Sequence, residues 1–526
     1  MAALTRCPLH RAFIGQAESA GRRRPFLDTS HTSQTSHAAH RVSPVGTPAF
    51  RSDCHVAVPS ATAPGAIAAP AGGEAPAAEA AEAERLAVGY GPLVADAQGG
   101  LLALPKGFKY KVVNRAGVTK LRTGEFTPSN HDGTSAFEDE RGGNLLVVNH
   151  ELSGARANWP NPVPLTEGHV YDPGAAGGCT IVHAKANGTV EQWVGIAGTA
   201  TNCAGGVTPW GTWLSGEETE DKAGKNGFTK DHGYIFEVDP FDDDYNRDPQ
   251  PVKAFGRYAH EAVVVDPKRG HVFLTEDASN PNGLLFRWTP PAGFKHGRYQ
   301  LRKLAADAGV LEAFKVFDAQ GKFIDDLSRA TTVGTTYGVD WVKVQDRDAR
   351  TVSVRKQFKD GEVTRARKLE GMWWGDGGFY FVSSFARSES PLQHDGQVWF
   401  YSPVRRTITL KVLLGVNTDV WGDHDNYDGP DNITVSPYGG IVIAEDGEGV
   451  SHLFGATEDG LTFPIARNEL NIGTAEKPEF SEFTGVTFSD DGKTLFANIQ
   501  TPGIQLAITG PWHRLNEHKR GQGYGQ

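Results

Sequence analysis

Acidic residues recur in this sequence beside short apolar segments that have the length of β-strands. Six glutamates stand in such positions: Glu151, Glu218, Glu261, Glu370, Glu445 and Glu482. Asp431 and Asn432 add two further oxygen donors. Carboxylates that are brought together repel one another unless a cation neutralises them, and clustered oxygen donors on turns suit Ca²⁺. The acidic residues therefore predict a metal site, provided that the fold gathers them.

A cysteine, Cys203, stands in a comparable position. A thiolate among hard oxygen donors does not suit Ca²⁺, because thiolates prefer a transition metal such as iron or zinc. The pattern therefore indicates a mixed cluster. The alternative is that Cys203 is a small buried residue in the tight turn formed by 202–206. The residues alone leave both interpretations open.

The sequence carries none of the common catalytic motifs. It has no Gly-x-Ser-x-Gly nucleophile motif, no phosphate-binding Walker loop and no His-Glu-x-x-His motif. The dipeptides His150-Glu151 and His260-Glu261 are weak signals by themselves. Their positions are more informative, because they stand at opposite ends of comparable strand pairs.

The acidic residues belong to an internal repeat of two strands joined by a short turn rich in Gly, Asp and Pro. Six units can be aligned, and they run over residues 131–151, 203–218, 260–277, 370–384, 431–446 and 482–500. Six units predict an all-β fold, a six-bladed β-propeller whose innermost strands line a central channel. Residues at equivalent strand ends would then converge on one axis.

The composition agrees with a turn-rich, all-β protein. The chain has 526 residues, of which 63 are Gly and 31 are Pro, and its 39% hydrophobic residues suffice for a large core. A net charge of −11 argues against a nucleic-acid-binding protein, which needs a basic surface. No apolar run reaches the roughly 18 residues of a transmembrane helix. Four cysteines are too few for a disulfide framework in a chain of this length.

Changes in composition along the chain predict its domain organisation. Residues 1–51 contain seven Arg, no Lys and two acidic residues, which is typical of an organelle transit peptide. We therefore predict a disordered N-terminal targeting tail at 1–55 and an Ala/Pro-rich linker at 56–86. The propeller follows at 87–512 and a C-terminal tail at 513–526. The predicted location is a plastid, with secretion as the alternative.

The propeller is expected to carry insertions, since the intervals between the repeat units are irregular. The largest insertion is 289–365, and its composition allows a helix at 301–315.

One long string resembles a known family. The sequence NCAGGVTPWGTWL at 202–214, followed by Glu217-Glu218, resembles the PhoX-type alkaline phosphatase family. Shorter strings that agree in order and spacing lie at 149–151, 256–261, 369–371, 445–447, 488–495 and 498–503. The resemblance covers about 108–503.

The resemblance implies a six-bladed propeller that hydrolyses phosphate monoesters with iron and calcium as cofactors. It implies that Cys203, Glu261 and Glu370 lie at the iron, and that Lys368 clamps a phosphate oxygen. These four residues are the implied catalytic residues. The implied calcium ligands are Glu151, Glu218, Asp431, Glu445 and Glu482. Small-molecule phosphate esters are the implied substrates, and a monomer is expected.

The sequence departs from the family pattern in ways that keep two other functions open. Gly216 replaces a cysteine that often precedes the Glu-Glu pair, and Lys368 replaces the usual phosphate-contacting arginine, for which Arg367 is an alternative source. Lys offers a charge without the bidentate fork of Arg. One alternative is a calcium-dependent propeller esterase, phosphodiesterase or phytase-like hydrolase in which Cys203 has no role. The other is a non-catalytic binding propeller.

Overall fold

The computed structural model describes most of the predicted folded region. The described residues are 88–96, 100–387, 390–422 and 427–515. The predicted transit peptide and linker, with Cys7 and Cys54, lie outside the described residues. The two cysteines among the described residues, Cys179 and Cys203, are free thiols. A search of the same residues finds no helix with the length and apolar character of a membrane span.

The described chain is built from β-strands. The first nine are β1 (Leu93–Val94), β2 (Leu102–Pro105), β3 (Lys109–Arg115), β4 (His131–Glu138), β5 (Gly143–His150), β6 (Gly177–Lys185), β7 (Val190–Thr199), β8 (Asn202–Val207) and β9 (Trp213–Glu217). The next nine are β10 (Ile235–Val238), β11 (His260–Val265), β12 (Val272–Glu276), β13 (Leu285–Thr289), β14 (Val310–Phe317), β15 (Phe323–Ile324), β16 (Thr336–Lys343), β17 (Leu369–Gly375) and β18 (Gly378–Ser383). The last nine are β19 (Gly396–Ser402), β20 (Thr407–Leu414), β21 (Pro430–Val435), β22 (Ile441–Glu445), β23 (His452–Ala456), β24 (Thr462–Asn468), β25 (Phe483–Phe488), β26 (Thr494–Ile499) and β27 (Ile504–Thr509).

Short 3₁₀ helices of three or four residues lie between the strands. They span Arg156–Asn158, Lys253–Phe255, Leu301–Lys303, Leu327–Arg329 and Val354–Gln357.

The helix predicted at 301–315 is wrong. Only its first three residues are helical, and β14 begins at Val310. Gly309 has a positive φ of 66°, a conformation that cannot continue a helix. The following strand alternates buried and half-buried residues and pairs with β13 and β16. These cross-strand contacts outweigh the local helix preference, as tertiary packing often does for short segments.

Six strands form the innermost layer, and we call them the inner strands: β4, β8, β11, β17, β21 and β25. Each pairs antiparallel with the strand that follows it. Each also packs beside the next one, from β4 through β8, β11, β17 and β21 to β25, and β25 packs against β4 again. The inner strands therefore close into a ring, which confirms the all-β, propeller-like architecture.

Further strands extend these pairs outwards. β4 to β7 form one sheet, β8 to β10 another, and β21 to β24 a third that β2 and β1 continue. β3 pairs with β27, so an N-terminal strand completes the last sheet of the chain. β16 belongs to the insertion at 289–365 and pairs with both β14 and β20. It therefore joins the strands that follow β11 and β17 into one continuous sheet.

Close approach between neighbouring inner strands requires small residues. A Cβ added to Gly371, in β17, would lie 2.7 Å from the carbonyl oxygen of Asp431 in β21. At Gly133, in β4, it would lie 2.7 Å from the carbonyl oxygen of Cys203 in β8. Real Cβ atoms do not approach backbone oxygens this closely. Glycine at these places therefore sets the spacing of the ring.

We expect Gly371→Ala to lower the thermal stability of the metal-free protein. The new methyl group would force β17 and β21 apart, and overpacking of this kind typically costs about 1–3 kcal/mol. Differential scanning calorimetry in chelator measures the shift in Tm. Gly415→Ala is the matched control, because a Cβ there would meet nothing within 4 Å. Equal Tm values for the two variants would contradict the proposed spacing role.

Candidate metal centre

A bulge near the start of each inner strand decides which side chains face the ring. In all six pairs the register shifts within the first five residues of the inner strand. A bulge re-aims the side chains beside it. The second residue of the strand is an acid or a cysteine in five cases, and these residues are called the inner group: Asp132, Cys203, Glu261, Glu370 and Asp431. β25 carries Thr484 at this place.

A second set of residues follows directly after the strands that pair with the inner strands. Its acidic members are called the rim group: Glu151, Glu218, Asp277 and Asp446. The backbones of Glu151, Glu218 and Asp446 are tied to the residue that precedes the inner strand of the same unit. The amide of Glu218 donates to the carbonyl of Thr201 at 2.8 Å, and that of Glu151 to the carbonyl of Asn130 at 3.0 Å.

The residue before the inner strand has a left-handed backbone in four of the six units. Its φ is positive at Asn130, Thr201, Lys368 and Gly429, with values of 39° to 52°. Such a conformation is costly for residues other than glycine, and strained residues of this kind concentrate at functional sites. The recurrence indicates one shared turn that brings the rim group beside the inner group.

Two trios of side chains meet closely enough to share an ion. Ligand atoms of Cys203, Glu218 and Glu261 all lie within 4.8 Å of one another. The same holds for Glu261, Glu370 and Asp431. Glu261 belongs to both trios, so it lies at the centre of the cluster. A cavity at the middle of the ring is lined by residues from all six inner strands.

The donor set fits bound cations. Glu261 is fully buried, and neither of its carboxylate oxygens has a hydrogen-bond partner. A buried carboxylate without a partner is strongly unfavourable, so its ordinary counterpart is a cation. One trio contains a thiol and suits a thiophilic ion, whereas the other offers only oxygen atoms. The structure therefore fits the prediction of a mixed cluster.

Without cations, the cluster resists ionisation. Burial raises the pKa of Glu370 to about 8, and the charge of Asp277 adds to this. Burial raises the pKa of Glu151 to about 8 and that of Asp132 to about 7. Burial and the neighbouring charge of Asp132 also raise the pKa of the Cys203 thiol. Bound cations would reverse these shifts, because they favour the deprotonated ligands.

Lys368 is the cation that contacts this cluster. Its Nζ lies 3.3 Å from Oε1 of Glu370 and 3.7 Å from Oδ2 of Asp446. Its side chain is 41% exposed and that of Asp446 is 45% exposed, whereas that of Glu370 is 8% exposed. The site therefore opens to solvent beside Lys368. Arg367 instead donates to Oδ2 of Asp326 at 2.8 Å, so its charge is committed elsewhere.

Two predicted ligands, Glu445 and Glu482, have different surroundings. The carboxylate of Glu445 accepts hydrogen bonds from the amide of Asp428 at 2.7 Å and from Nδ1 of His452 at 2.8 Å. Its neighbour Asp446 occupies the rim position. Glu482 precedes β25, and burial followed by the charges of Asp446 and Asp431 raises its pKa. The structure thus brings Glu482 to the cluster and holds Glu445 within its own sheet.

Three acids of the cluster were not predicted from the sequence. Asp132, Asp277 and Asp446 carry charges that act on the other members, since Asp446 raises the pKa of both Glu151 and Glu482. A signal was present, because Asp132 aligns with Glu261 in the repeat, and Asp277 and Asp446 align with Glu218.

Gly216, in β9, lies against the inner strand β11 of the next unit. A Cβ at this position would lie 2.9 Å from the carbonyl oxygen of His260 and 3.0 Å from that of Glu261. The absence of a side chain therefore lets β9 pack directly against the strand that presents Glu261.

Comparison with solved structures finds one that shares the overall fold of this chain. PhoX from Pseudomonas fluorescens, in complex with vanadate, a transition-state analogue, matches with a TM-score of 0.59 and 18% identity over 82% of this chain and 99% of that chain. A gluconolactonase from Xanthomonas campestris matches with a TM-score of 0.33 and 12% identity, over 75% and 99% of the two chains. The PQQ domain of a pyranose dehydrogenase from Coprinopsis cinerea gives 0.36 and 12%, over 78% and 97%.

The family comparison covers most of the chain. No curated protein matches the sequence significantly. The model of the alkaline phosphatase PhoX family matches residues 88–191 and 183–503, which together include every residue of the inner and rim groups. The chain therefore belongs to the alkaline phosphatase PhoX family.

Proposed function

We propose that this phosphatase releases inorganic phosphate from phosphate monoesters at the cluster around Glu261. The observation that carries the proposal is the shared, unpartnered Glu261 carboxylate between two ligand trios, with the ammonium of Lys368 at the open side. A monoester carries two negative charges that cations and Lys368 would bind together. Diesters have fewer free phosphate oxygens for such binding.

We also propose that the fold is a six-bladed propeller. The closed ring of six inner strands supports this count, as does the bulge at the same place in each pair. On this interpretation, the sheet that β16 joins consists of two blades, with β11 and β17 as their inner strands.

The proposed cofactors are iron and calcium. The trio of Cys203, Glu218 and Glu261 would hold the iron, because thiolate donors favour a transition metal. The oxygen-only trio of Glu261, Glu370 and Asp431, together with Glu151, Asp277, Asp446 and Glu482, would hold calcium. Glu218 would thus bind iron and Glu370 calcium, whereas the family resemblance implied the reverse. When bound, such ions supply Lewis acidity, which binds phosphate oxygens and offsets the charge that develops during transfer.

The chain's own residues would orient the ester. Lys368 would donate a hydrogen bond to a phosphate oxygen from the open side of the site, while its contact with Glu370 fixes the direction of the ammonium. The buried inner group would exclude bulk water from beneath the phosphate. An electropositive group at the opening is needed there, because the surrounding acids would otherwise repel an anionic substrate.

Substrate class, cellular location and oligomeric state are three further properties of the enzyme. We propose small-molecule phosphate esters as substrates, since the site opens to solvent beside Lys368. Plastid targeting from residues 1–55, with secretion as the alternative, and a monomeric state stay predictions. Import of a fusion of residues 1–55 to a fluorescent protein tests the first, and light scattering tests the second.

We expect Glu370→Gln to reduce phosphatase activity by about 10²-fold or more, because it removes a charged ligand from the oxygen-only trio. The same substitution removes a carboxyl that must take up a proton on folding at pH 7 when no cation is bound, because its pKa is raised to about 8, so the chelated protein should gain thermal stability. Hydrolysis of an aryl phosphate and the Tm in chelator measure the two effects. Glu458→Gln, at an exposed turn, is the control for both. A folded Glu370→Gln variant with near-normal activity would exclude Glu370 from the site.

Two substitutions of Lys368 distinguish the contribution of its positive charge to catalysis from that of its hydrogen-bond geometry. We expect Lys368→Met to lower kcat/KM by about 10²-fold, in line with the loss of one fixed donor to a reacting oxyanion. Lys368→Arg should stay within about tenfold of the wild type, because it keeps the charge and adds a bidentate fork. Both variants keep a non-glycine residue at the left-handed backbone. Lys493→Met, on an exposed turn, is the control.

Metal removal distinguishes the proposed function from its alternatives. Elemental analysis of the purified protein should find both iron and calcium. Chelation should abolish hydrolysis, and the two metals together should restore it. Full recovery with calcium alone would favour a calcium-dependent esterase in which Cys203 is not a ligand. A metal-loaded protein that turns over no phosphate ester would favour a non-catalytic binding protein.

A further inference from the structure

A buried histidine between two carboxylates lies directly behind the thiol-containing trio. We propose that Glu217, His232 and Asp172 form a positioning array that holds Cys203 and Glu218 at the spacing that metal binding requires. The proposal rests on the proposed metal-dependent function of this cluster. None of the three residues belongs to the inner or rim group, and all three side chains are fully buried.

Glu217 connects two separate segments of the chain. Its Oε1 accepts hydrogen bonds from the amide of Ala200 at 2.9 Å and from Nδ1 of His232 at 2.6 Å. Its Oε2 accepts from the amides of Gly233 at 2.8 Å and Tyr234 at 3.1 Å. One carboxylate therefore holds the segment that leads into β8 and the segment that leads into β10.

The first of these segments carries Cys203. Thr201 lies between Ala200 and Cys203, and its carbonyl accepts a hydrogen bond from the amide of Glu218 at 2.8 Å. The carbonyl of Cys203 accepts a hydrogen bond from Nδ2 of Asn149 at 2.8 Å. The backbone on both sides of Thr201 is therefore fixed, and Glu217 holds its N-terminal side. Glu218 follows Glu217 directly, so both ligands depend on the same carboxylate.

His232 is itself held from its other side. Its Nε2 lies 3.3 Å from Oδ2 of Asp172, which also accepts from the amides of Thr229 at 2.7 Å and Lys230 at 2.8 Å. Burial alone would lower the pKa of His232, but the charge of Glu217 and the hydrogen bonds to both carboxylates raise it. Each ring nitrogen faces a carboxylate oxygen, so the ring is held in one orientation from both sides.

The opposite side of the ring offers a matched comparison. Glu445 is the residue equivalent to Glu217, and it accepts from Nδ1 of His452 at 2.8 Å. This pair lies behind Asp446, which has no place in the thiol-containing trio. A change at His452 should therefore leave Cys203 undisturbed, although it removes a similar buried hydrogen bond.

The experiment titrates the metal-free full chain with Co²⁺ and follows the thiolate-to-cobalt charge-transfer band in the near ultraviolet. An Asn side chain can place its amide nitrogen near Nδ1 of the histidine it replaces, and Gln can reach Nε2. His232→Asn therefore keeps a donor for Glu217, whereas His232→Gln keeps the donor for Asp172 and loses that for Glu217. Both variants stay polar, which limits the cost of burial.

We expect His232→Gln to weaken Co²⁺ binding by about tenfold or more, as measured by the thiolate charge-transfer band. This is the usual effect of losing a residue that orients a metal ligand. His232→Asn and the control His452→Gln should stay within about threefold of the wild type. A role confined to general stability would instead lower Tm in all three variants with no selective change in the band.

Two negative outcomes have different meanings. If the wild type gives no thiolate band, Cys203 is not a ligand and the proposed metal centre fails. If the wild type gives the band and His232→Gln binds Co²⁺ as tightly as His232→Asn, the metal centre stands and the positioning array is wrong.

Discussion

The crowding of carboxylates inside one ring of strands is the constraint on which the structure depends. Nine acids contribute to it: Asp132, Glu151, Glu218, Glu261, Asp277, Glu370, Asp431, Asp446 and Glu482. Burial and mutual repulsion oppose the ionisation of its buried members, such as Glu261, Asp431 and Glu482, so the ring is stable as an ionised cluster only with cations inside it. The energy that keeps the ring together must come from elsewhere. It comes from apolar packing between the sheets, where Trp213, Trp288 and Trp399 are buried.

The repeat explains how so many acids meet, and its irregularities explain why the site has an open side. A bulge and a left-handed residue recur, so one local geometry presents a ligand from each unit in turn. Two units depart from the pattern. The unit of β17 has Ser384 at the rim position and Lys368 before the strand, and the unit of β25 has Thr484 and Gln500. Each of these two units therefore has no acid at the rim position, and the unit of β17 adds the ammonium of Lys368 instead.

The sequence predicted the strand pairs and the strand ends that meet, because alternation and turn residues are local signals. It named most of the residues that face the ring, but it did not predict the ring-facing residue at every strand end. Neighbouring side chains in a strand point to opposite faces, and a bulge of one residue exchanges those faces. Glu445 was chosen where Asp446 takes the rim position for this reason. The strand at β14 and the bridging strand β16 were also missed, since both depend on partners distant in sequence.

The alternation of side chains along a strand also explains why acids occur in pairs at the strand ends. Where the sequence reads Glu217-Glu218, Glu276-Asp277 and Glu445-Asp446, the first residue ends the strand and points into the protein. Each first residue meets a basic side chain there: His232 at 2.6 Å, Arg355 at 3.1 Å and His452 at 2.8 Å, respectively. The second residue is left at the rim beside the inner group, where Asp446 lies 3.7 Å from Nζ of Lys368. A buried acid held by a basic side chain and an adjacent acid at the rim are therefore two parts of one arrangement. The first acid of each pair holds the strand end in place, and the second acid lies at the candidate metal centre. This division explains why the acids occur in pairs although only one of each pair reaches the centre.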